Sequence, residues 1–179
     1  MKTGFVVDSD RCIGCHSCSM ACKNYNQLNP EINWRTVYPI EENAYGESTR
    51  ITMSLACNHC EIPACKEACP TNAYEKREDG IVIHHEERCI GCEMCVYACP
   101  YNIPTYDKET KKISKCHFCY ERIDNGQLPA CISSCPTQAI YYVDAETTAV
   151  SERSLPGFPD YTITEPTTRF IKPNIVKKR

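Results

Sequence analysis

The 179-residue sequence has little of the material that builds a conventional hydrophobic core. It contains only 7 glycines and 4 phenylalanines, with modest numbers of leucine and valine. A chain of this length forms one compact unit or two small ones. Because small units that lack apolar residues need disulfides or metals as staples, we expect covalent or metal cross-links to replace part of the core.

Several other features are missing from the sequence. No apolar run approaches the about 18–20 residues needed to cross a bilayer. In the first eight residues, MKTGFVVD, an aspartate follows three apolar residues, so we expect no secretory signal. The net charge of −3 has mixed signs and does not suggest a nucleic-acid surface. Neither a G-x-G-x-x-G nor a P-loop pattern occurs, so no nucleotide site is expected.

Cysteine, in contrast, is abundant. Sixteen cysteines fall into four runs of four, and none is left over. The runs are Cys12, Cys15, Cys18 and Cys22 (run one); Cys57, Cys60, Cys65 and Cys69 (run two); Cys89, Cys92, Cys95 and Cys99 (run three); and Cys116, Cys119, Cys131 and Cys135 (run four). Without an export signal, a disulfide framework of this density is not expected.

The spacing divides the runs into two types. Runs one and three have the tight spacing C-x2-C-x2-C-x3-C, as in RCIGCHSCSMAC and RCIGCEMCVYAC. Runs two and four are wider, C-x2-C-x4-C-x3-C-P and C-x2-C-x11-C-x3-C-P, and end alike in CPTNAY and CPTQAI. The tight spacing is that of one half of a two-cluster bacterial ferredoxin, in which the fourth cysteine of each run binds the cluster of the other run.

This exchange rule predicts four [4Fe–4S] clusters. The first three cysteines of a run bind one cluster, and the fourth comes from the paired run. The predicted ligand sets are Cys12, Cys15, Cys18 and Cys135 for cluster 1; Cys116, Cys119, Cys131 and Cys22 for cluster 2; Cys57, Cys60, Cys65 and Cys99 for cluster 3; and Cys89, Cys92, Cys95 and Cys69 for cluster 4. No half of a module is then expected to fold without its mate.

The order of the runs predicts an α+β fold of two ferredoxin-like modules, with few short strands and helices. The inner module covers residues 55–111 and is inserted into a circularly permuted outer module, residues 1–22 plus 112–145. Residues 23–54 form an insertion that shapes one face of the protein, with strands in RTVYPI and RITMSL and a turn in EENAYGES between them. Residues 146–179, rich in proline, form an extended tail that we expect to wrap a partner.

The spacing also predicts local geometry. The x3 interval is about one helical turn, which points the fourth cysteine toward the neighbouring cluster, and Gly14 and Gly91 suit a close backbone approach. Proline follows three of the runs, at Pro70, Pro100 and Pro136, and stops the turn. Run one has Lys23 instead, so its helix should continue for a residue or two.

Other residues have simpler interpretations. His16, His59 and His117 lie within the runs. Each cluster already has four cysteines, so we expect these histidines to pack against the clusters or donate N–H groups to sulfur. His84 and His85 are expected at a strand end. The aromatic residues Trp34, Tyr97, Tyr101 and Tyr106 are expected in the core or at interfaces, and the basic stretch Lys108, Lys111, Lys112 and Lys115 in a solvated turn.

The alternative metal is zinc. Zinc sites also use C-x2-C pairs, but as two pairs of ligands rather than as runs of four. A thioredoxin-type C-x-x-C motif would need one pair in a βαβ context.

The cysteine runs and their surroundings resemble one known family. The stretches CNHCEIPACKEACPTNA, DGIVIHHEERCIGCEMCVYACPY, KCHFCYERIDNGQLPACISSCPTQA and the closing RFIKPN are similar to the four-cluster iron–sulfur subunits of the dimethyl sulfoxide reductase superfamily. That superfamily includes polysulfide, thiosulfate, arsenate and dimethyl sulfoxide reductases and formate dehydrogenases.

The resemblance implies an electron-transfer subunit without its own active site. It implies a catalytic partner with a molybdenum or tungsten pterin cofactor, often a membrane subunit that reacts with quinone, and export of the folded complex on the partner's signal. A soluble polyferredoxin of a hydrogenase, cytoplasmic formate dehydrogenase or aldehyde oxidoreductase is the alternative, with a cytoplasmic location. A zinc-clamped scaffold is a third possibility.

Overall fold

The computed structural model describes residues 2–40, 51–144, 159 and 161–171. Short elements of both kinds make up these residues, and the longest helix described has nine residues. The strands are β1 Thr3–Asp8, β2 Thr36–Ile40, β3 Ile51–Leu55, β4 Tyr74–Lys76, β5 Val82–His84, β6 Thr105–Asp107, β7 Lys112–Ser114, β8 Ile140–Asp144 and β9 Arg169–Ile171. The helices are α1 Ser17–Tyr25, α2 Ala64–Glu67, α3 Met94–Ala98, α4 Tyr120–Asp124 and α5 Ala130–Ser133, with 3-10 turns at Glu86–Arg88 and Tyr161–Ile163.

A three-stranded sheet brings together distant parts of the chain. Its strand order is β8-β1-β9. Strand β1 pairs with β8 in antiparallel register, Phe5 opposite Tyr142, and with β9 in parallel register, Val7 opposite Phe170. The central strand is buried, with Val6 and Val7 at 0 % exposure. The start of the chain is therefore held between two segments from its last third.

The remaining strands form three antiparallel hairpins, β2–β3, β4–β5 and β6–β7. Strand β4 follows run two and β5 precedes run three. In the same way, β8 follows run four and β1 precedes run one. Helix α1 packs against α5, and α2 against α3. Each tight run is therefore matched with one wide run in both strand pairing and helix packing.

Cysteine supplies much of the buried surface, as expected from the shortage of apolar residues. The main cluster of buried side chains includes Cys18, Cys57, Cys116 and Cys131 beside apolar residues. At its centre the rings of Phe5 and Phe118 stack with centroids 3.9 Å apart. The core of this protein is thus built around the groups that are expected to bind metal.

The two strands predicted within residues 23–54 are confirmed as β2 and β3, which pair from Thr36–Leu55 to Ile40–Ile51. The predicted turn at 41–48 lies outside the described residues. The segment does more than shape a surface, however, because Arg35 and Ser54 are 2 % and 0 % exposed. Strand β3 and the residue that precedes β2 therefore project polar side chains into the interior.

Residues 161–171, which fall within the predicted partner-binding tail, pack on this chain. Besides pairing β9 with β1, the segment accepts the Ile62 N–H at the Thr164 carbonyl (3.1 Å), and Thr167 donates to the Asn58 carbonyl. Phe170 is completely buried. This part of the tail belongs to the body of the subunit, and whether the rest binds a partner stays a prediction.

The prediction of a solvated basic turn is wrong for one of its four lysines. Lys108 is exposed at the β6–β7 turn, but Lys115 is only 3 % exposed. Its ammonium group donates to the carbonyl oxygens of Val82 and Cys116. Lys115 follows β7 and turns inward where the chain enters run four, a change of direction that charge patterning alone does not reveal.

One of the aromatic residues is buried as expected and another is exposed, and whether the exposed one lies at an interface stays a prediction. Tyr101 is 8 % exposed, with its hydroxyl 2.9 Å from that of Thr164, while Tyr97 is 84 % exposed. His84 ends β5, as predicted. Within the described residues, no helix is long and apolar enough to span a membrane.

Candidate metal centres

Each run places its third cysteine on a short helix. Cys18, Cys65, Cys95 and Cys131 are each the second residue of a helix, namely α1, α2, α3 and α5. In runs two, three and four the fourth cysteine lies just past the helix end, and proline follows it. Run one has no such proline, and α1 continues to Tyr25, which confirms the prediction from Lys23.

The tight runs bend through left-handed backbone before their helices. His16 and Glu93 have φ values of 61° and 60° at the residue preceding α1 and α3. Gly14 and Gly91 have φ values of 68° and 69°. A Cβ atom at Gly91 would collide with the carbonyl oxygen of Lys111. Glycine is therefore required there by both conformation and space.

Backbone N–H groups point at several of the sulfurs. Gly91 N–H lies 3.4 Å from Cys89 Sγ, and Phe118 N–H lies 3.4 Å from Cys116 Sγ. After the wide runs, Ala73 and Ala139 donate to the sulfurs of Cys69 and Cys135 at 3.3 and 3.2 Å. N–H donors of this kind stabilise thiolates and the negative charge of a bound cluster.

One cavity collects four cysteines from two different runs. It is lined by Cys57, Cys60 and Cys65 of run two together with Cys99 of run three. Burial raises the pKa of both the Cys60 and the Cys65 thiol to about 12. Ionised sulfurs at this depth need a cation, and the cavity and its donor set fit an iron–sulfur cluster.

The same crosswise grouping recurs in the outer runs. Burial is the main cause that raises the pKa of Cys22 to about 12. The negative charges of Cys131 and Cys119 raise it further. Cys22 belongs to run one, whereas its two electrostatic neighbours belong to run four. Burial likewise raises the pKa of Cys18, and the charges of Cys131 and Cys135 add to this rise.

In the inner runs, Cys95 of run three has Cys69 of run two nearby. Burial raises the pKa of Cys95 most, and the charges of Cys69 and Cys89 raise it further. The electrostatic neighbours of Cys22, Cys18 and Cys95 are therefore compatible with one exchanged cysteine in each set.

His59, in run two, contacts both strand β5 and run four. Its ring is fully buried against the stacked rings of Phe5 and Phe118, and its Nδ1 accepts the Val82 N–H at 3.0 Å. Burial, assisted by the positive charge of Lys115, holds the pKa of His59 well below its usual value. The proton of the neutral ring then resides on Nε2, 4.0 Å from Cys116 Sγ. The expectation that a histidine of the runs faces sulfur is met at His59.

The other two histidines of the runs behave differently. His117 packs its ring edge-on against Trp34 and Tyr120, with centroids 5.0 and 5.3 Å away, and His16 is exposed. Among the described residues, no group of three or more His, Cys, Asp or Glu side chains converges on a single point where one metal ion could sit. At one place, the cavity beside Cys57, four thiols line a common space.

Three residues near the sulfurs were not identified from the sequence. Arg35 and Lys115 are buried cations, and Thr164 lines the cavity beside Cys60. None lies within a cysteine run, and each comes from a segment assigned to another role. Alternation along RTVYPI places Arg35 on the same side of the chain as Val37, which is buried, and this shared side is a signal that could have indicated the burial of Arg35.

Comparison with known proteins agrees with this geometry. Residues 49–145 match the 4Fe-4S dicluster domain family, and residues 3–24 match a 4Fe-4S binding domain. The sequence is 38% identical to a chain of the anaerobic dimethyl sulfoxide reductase of Escherichia coli K12, over 98% of this chain and 87% of the relative. It is 39% identical to the corresponding chain of the Haemophilus influenzae enzyme, over 96% and 89%.

A further relative, matched over a shorter stretch, is a tetrathionate reductase subunit of Salmonella typhimurium, 42% identical over 75% of this chain and 54% of the relative. The matches cover all four cysteine runs, and together with the sixteen cysteines they support four [4Fe–4S] clusters. This protein belongs to the electron-transferring iron–sulfur subunits of the molybdopterin oxidoreductase family.

Proposed function

We propose that this chain relays single electrons through four [4Fe–4S] clusters, between a molybdopterin catalytic subunit and a membrane subunit that reacts with quinone, in an anaerobic respiratory oxidoreductase. The clusters supply the one-electron redox chemistry. The chain holds them, shields them from water and sets the charge around them. The observation that carries the proposal is the cavity in which Cys57, Cys60 and Cys65 meet Cys99 of another run.

The proposed ligand sets follow the exchange rule. They are Cys12, Cys15, Cys18 and Cys135; Cys22, Cys116, Cys119 and Cys131; Cys57, Cys60, Cys65 and Cys99; and Cys69, Cys89, Cys92 and Cys95. The cavity supports the third set directly. The effects of Cys131 and Cys119 on the pKa of Cys22, of Cys135 on that of Cys18, and of Cys69 on that of Cys95 support the other three.

Two nested modules account for the repeated pairing of elements. In the proposed inner module, β4 pairs with β5 and α2 packs on α3; in the outer one, β8 pairs with β1 and α5 packs on α1. The order of the outer runs along the chain is reversed, as expected of a circular permutation. The proposed boundary between residues 111 and 112 lies inside hairpin β6–β7, whose Ile113 packs with Tyr74 and Cys95 of the inner module.

The four proposed clusters can be placed in an order along the path of the electrons. Burial is the largest cause of the raised pKa of Cys116, which belongs to the second set. The charges of Cys22 and of Cys57, a member of the third set, raise this pKa further. Cys57 and Cys116 also lie in the same cluster of buried side chains, so we place these two sets next to each other. Cys15 of the first set and Cys92 of the fourth are exposed. The first and fourth sets thus lie where electrons can enter and leave the subunit.

Exposed apolar side chains lie close in sequence to both exposed cysteines. Ile13 and Ile90 are each 66 % exposed beside Cys15 and Cys92, and Met94 and Tyr97 add to the second of these surfaces. Exposed apolar groups of this kind mark protein interfaces. We infer that the catalytic subunit and the membrane subunit dock at these two ends, which places the complex at the membrane, on the extracytoplasmic side if the catalytic subunit is exported.

Purification of the native complex under anaerobic conditions tests the proposal. We expect about sixteen irons and as many acid-labile sulfides per copy of this chain, together with a pterin-bound molybdenum or tungsten in the partner. Electron paramagnetic resonance (EPR) should detect reducible clusters. Zinc without sulfide would refute the proposal and favour the scaffold, whereas iron–sulfur clusters without a pterin partner would favour a soluble polyferredoxin.

A further inference from the structure

Arg35 is a fully buried cation close to the outer cysteine runs. Its side chain is 2 % exposed, and its guanidinium lies 4.5 Å from the centre of the Phe5 ring. Its Nη1 donates to Ser54 Oγ at 3.1 Å and lies 3.4 Å from the Ser54 carbonyl oxygen. Among the described residues, no aspartate or glutamate forms an ion pair with it, in contrast to Arg77, which pairs with Asp79 and Asp124.

Two further donor atoms of the same side chain are unused. Nε and Nη2 of Arg35 are buried and have no hydrogen-bond partner within the described part of the chain. A buried charge that lacks a partner strongly destabilises a protein, and a buried donor without an acceptor destabilises it further. Such a side chain is tolerated when something negative faces it.

The surroundings of Arg35 identify that negative group. Burial by itself lowers the pKa of Arg35, yet the negative fields of Cys131, Cys18, Cys116 and Cys22 outweigh it and raise the pKa above its usual value. Cys18 belongs to the first proposed ligand set, and the other three belong to the second. Ser54 Oγ, which accepts from Arg35, lies 3.4 Å from Cys18 Sγ.

We propose that Arg35 is the shared counter-cation of clusters 1 and 2, raising the reduction potentials of both and compensating their charge when they are inserted. This inference rests on the proposed ligand sets. An iron–sulfur cluster held by four thiolates is negative, and reduction adds one more negative charge. A cation in a low-dielectric interior stabilises the reduced form more than the oxidised form, so its removal lowers the midpoint potential.

The experiment is an EPR-monitored redox titration of the native complex carrying Arg35→Gln, Arg35→Lys or the control Arg77→Gln. Arg35→Gln removes the charge but keeps a polar side chain, and Arg35→Lys keeps the charge. Arg77→Gln removes a cation that is already neutralised by carboxylates. The spectra of Cys135→Ser and Cys22→Ser variants identify which signals belong to clusters 1 and 2.

We expect Arg35→Gln to lower the midpoint potentials of clusters 1 and 2 and to leave those of clusters 3 and 4 unchanged. Arg35→Lys keeps the charge, so its midpoint potentials should stay close to those of the unsubstituted complex. Arg77→Gln should change none of the four. Loss of clusters 1 and 2 in the glutamine variant, with retention in the lysine variant, would also support the proposal.

Three results would overturn it: unchanged potentials in Arg35→Gln, a shift as large in Arg35→Lys as in Arg35→Gln, or loss of clusters in both variants. The last would give Arg35 a structural role that depends on its shape. Failure of the proposed function is a different observation, because the unsubstituted complex would then lack reducible clusters altogether.

Discussion

His59 Nε2 lies 4.0 Å from Cys116 Sγ, and this pair connects the two proposed ferredoxin-like modules. His59 belongs to run two, whereas Cys116 belongs to run four. The histidine ring also accepts the Val82 N–H, which fixes its orientation. One side chain therefore links hairpin β4–β5 to the entrance of run four.

Replacing His59 by phenylalanine should lower the potential of the cluster held by Cys116. The variant loses the N–H group that faces the sulfur, and it leaves the buried Val82 N–H without its acceptor, at a cost of about 1–3 kcal/mol in stability. Redox titration monitored by EPR measures the potential, and anaerobic urea unfolding measures the stability. His85→Phe, at a more exposed position that contacts Glu75, is the control and should change neither. An unaltered potential in His59→Phe would argue against the N–H contact.

Paired serine variants test the exchange of ligands. Cys22→Ser should disturb the cluster held by Cys116, Cys119 and Cys131 rather than that of its own run. Cys135→Ser should disturb the cluster held by Cys12, Cys15 and Cys18. Iron analysis and EPR of the two variants identify the cluster affected in each. If each substitution instead damaged the cluster of its own run, the crosswise assignment would be wrong.

Gly91→Ala should reduce the content of cluster 4. A methyl group there collides with the Lys111 carbonyl oxygen, in addition to the about 1–2 kcal/mol cost of left-handed backbone. Gly126→Ala is a matched control, since Gly126 has a similar φ of 70° but nothing within 4 Å of the added atom. We expect a loss of up to about four irons per chain in the first variant and none in the second. Equal iron content would show that the backbone relaxes.

Phe170→Ala should lower the free energy of unfolding by about 3–5 kcal/mol. Its side chain is completely buried, and β9 pairs with the central strand β1. Ile163→Ala, at a side chain that is 63 % exposed, should change stability by less than about 0.5 kcal/mol. Urea denaturation of the holoprotein compares them. Similar midpoints for both variants would mean that residues 161–171 contribute little to the subunit.

Truncation tests the partner-binding prediction for the tail. Deletion from residue 155 onward would remove β9 and destabilise this chain, so the informative deletion is residues 172–179, which spares β9. We expect it to weaken association with the catalytic partner while the iron content per chain stays unchanged. Co-purification measures the association. Full assembly of the truncated chain would refute a binding role for these eight residues.

The ion pair between Arg77 and Asp124 connects the loop after β4 with the end of α4, with N–O distances of 2.9 and 2.7 Å. The hydrogen bond from Arg77 lowers the pKa of Asp124. A lowered carboxyl pKa contributes stability above the unfolded value of about 3.9, and this is lost only as the pH falls through the lower folded value. Asp124→Asn should therefore destabilise the holoprotein slightly, by the same amount at pH 5.5 and pH 8, and less at high salt. A difference that disappears at pH 5.5 would contradict this ionisation range.

Cysteine spacing predicted the local structure of the sites well. The third cysteine of each run lies in the first turn of a helix, α1 extends past Cys22 where proline is missing, and strands β2 and β3 lie where they were expected. These features depend on residues close together in sequence, where proline, glycine and helical periodicity act directly. For the same reason Gly91 could be recognised as a position of close approach.

The surroundings of the sulfurs were harder to predict. Lys115 was expected in a solvated turn and is buried, and Arg35 was expected in a surface hairpin and faces the outer cysteines. The burial of a cation depends on what surrounds it after folding. Neither the spacing nor the charge pattern of the sequence contains that information.

The sequence by itself determined the chemistry, because it contains sixteen thiols in four runs. The spacing of these runs is that of [4Fe–4S] cluster ligands, and their order pairs each tight run with a wide one. Only the tertiary structure decided which groups surround those thiols. It brought Arg35, Lys115 and His59 into the interior and laid residues 161–171 over Asn58 and Tyr101. The physical reason is that ligand geometry is set by neighbouring residues, whereas the electrostatic field at a buried site is the sum over groups that only folding brings together.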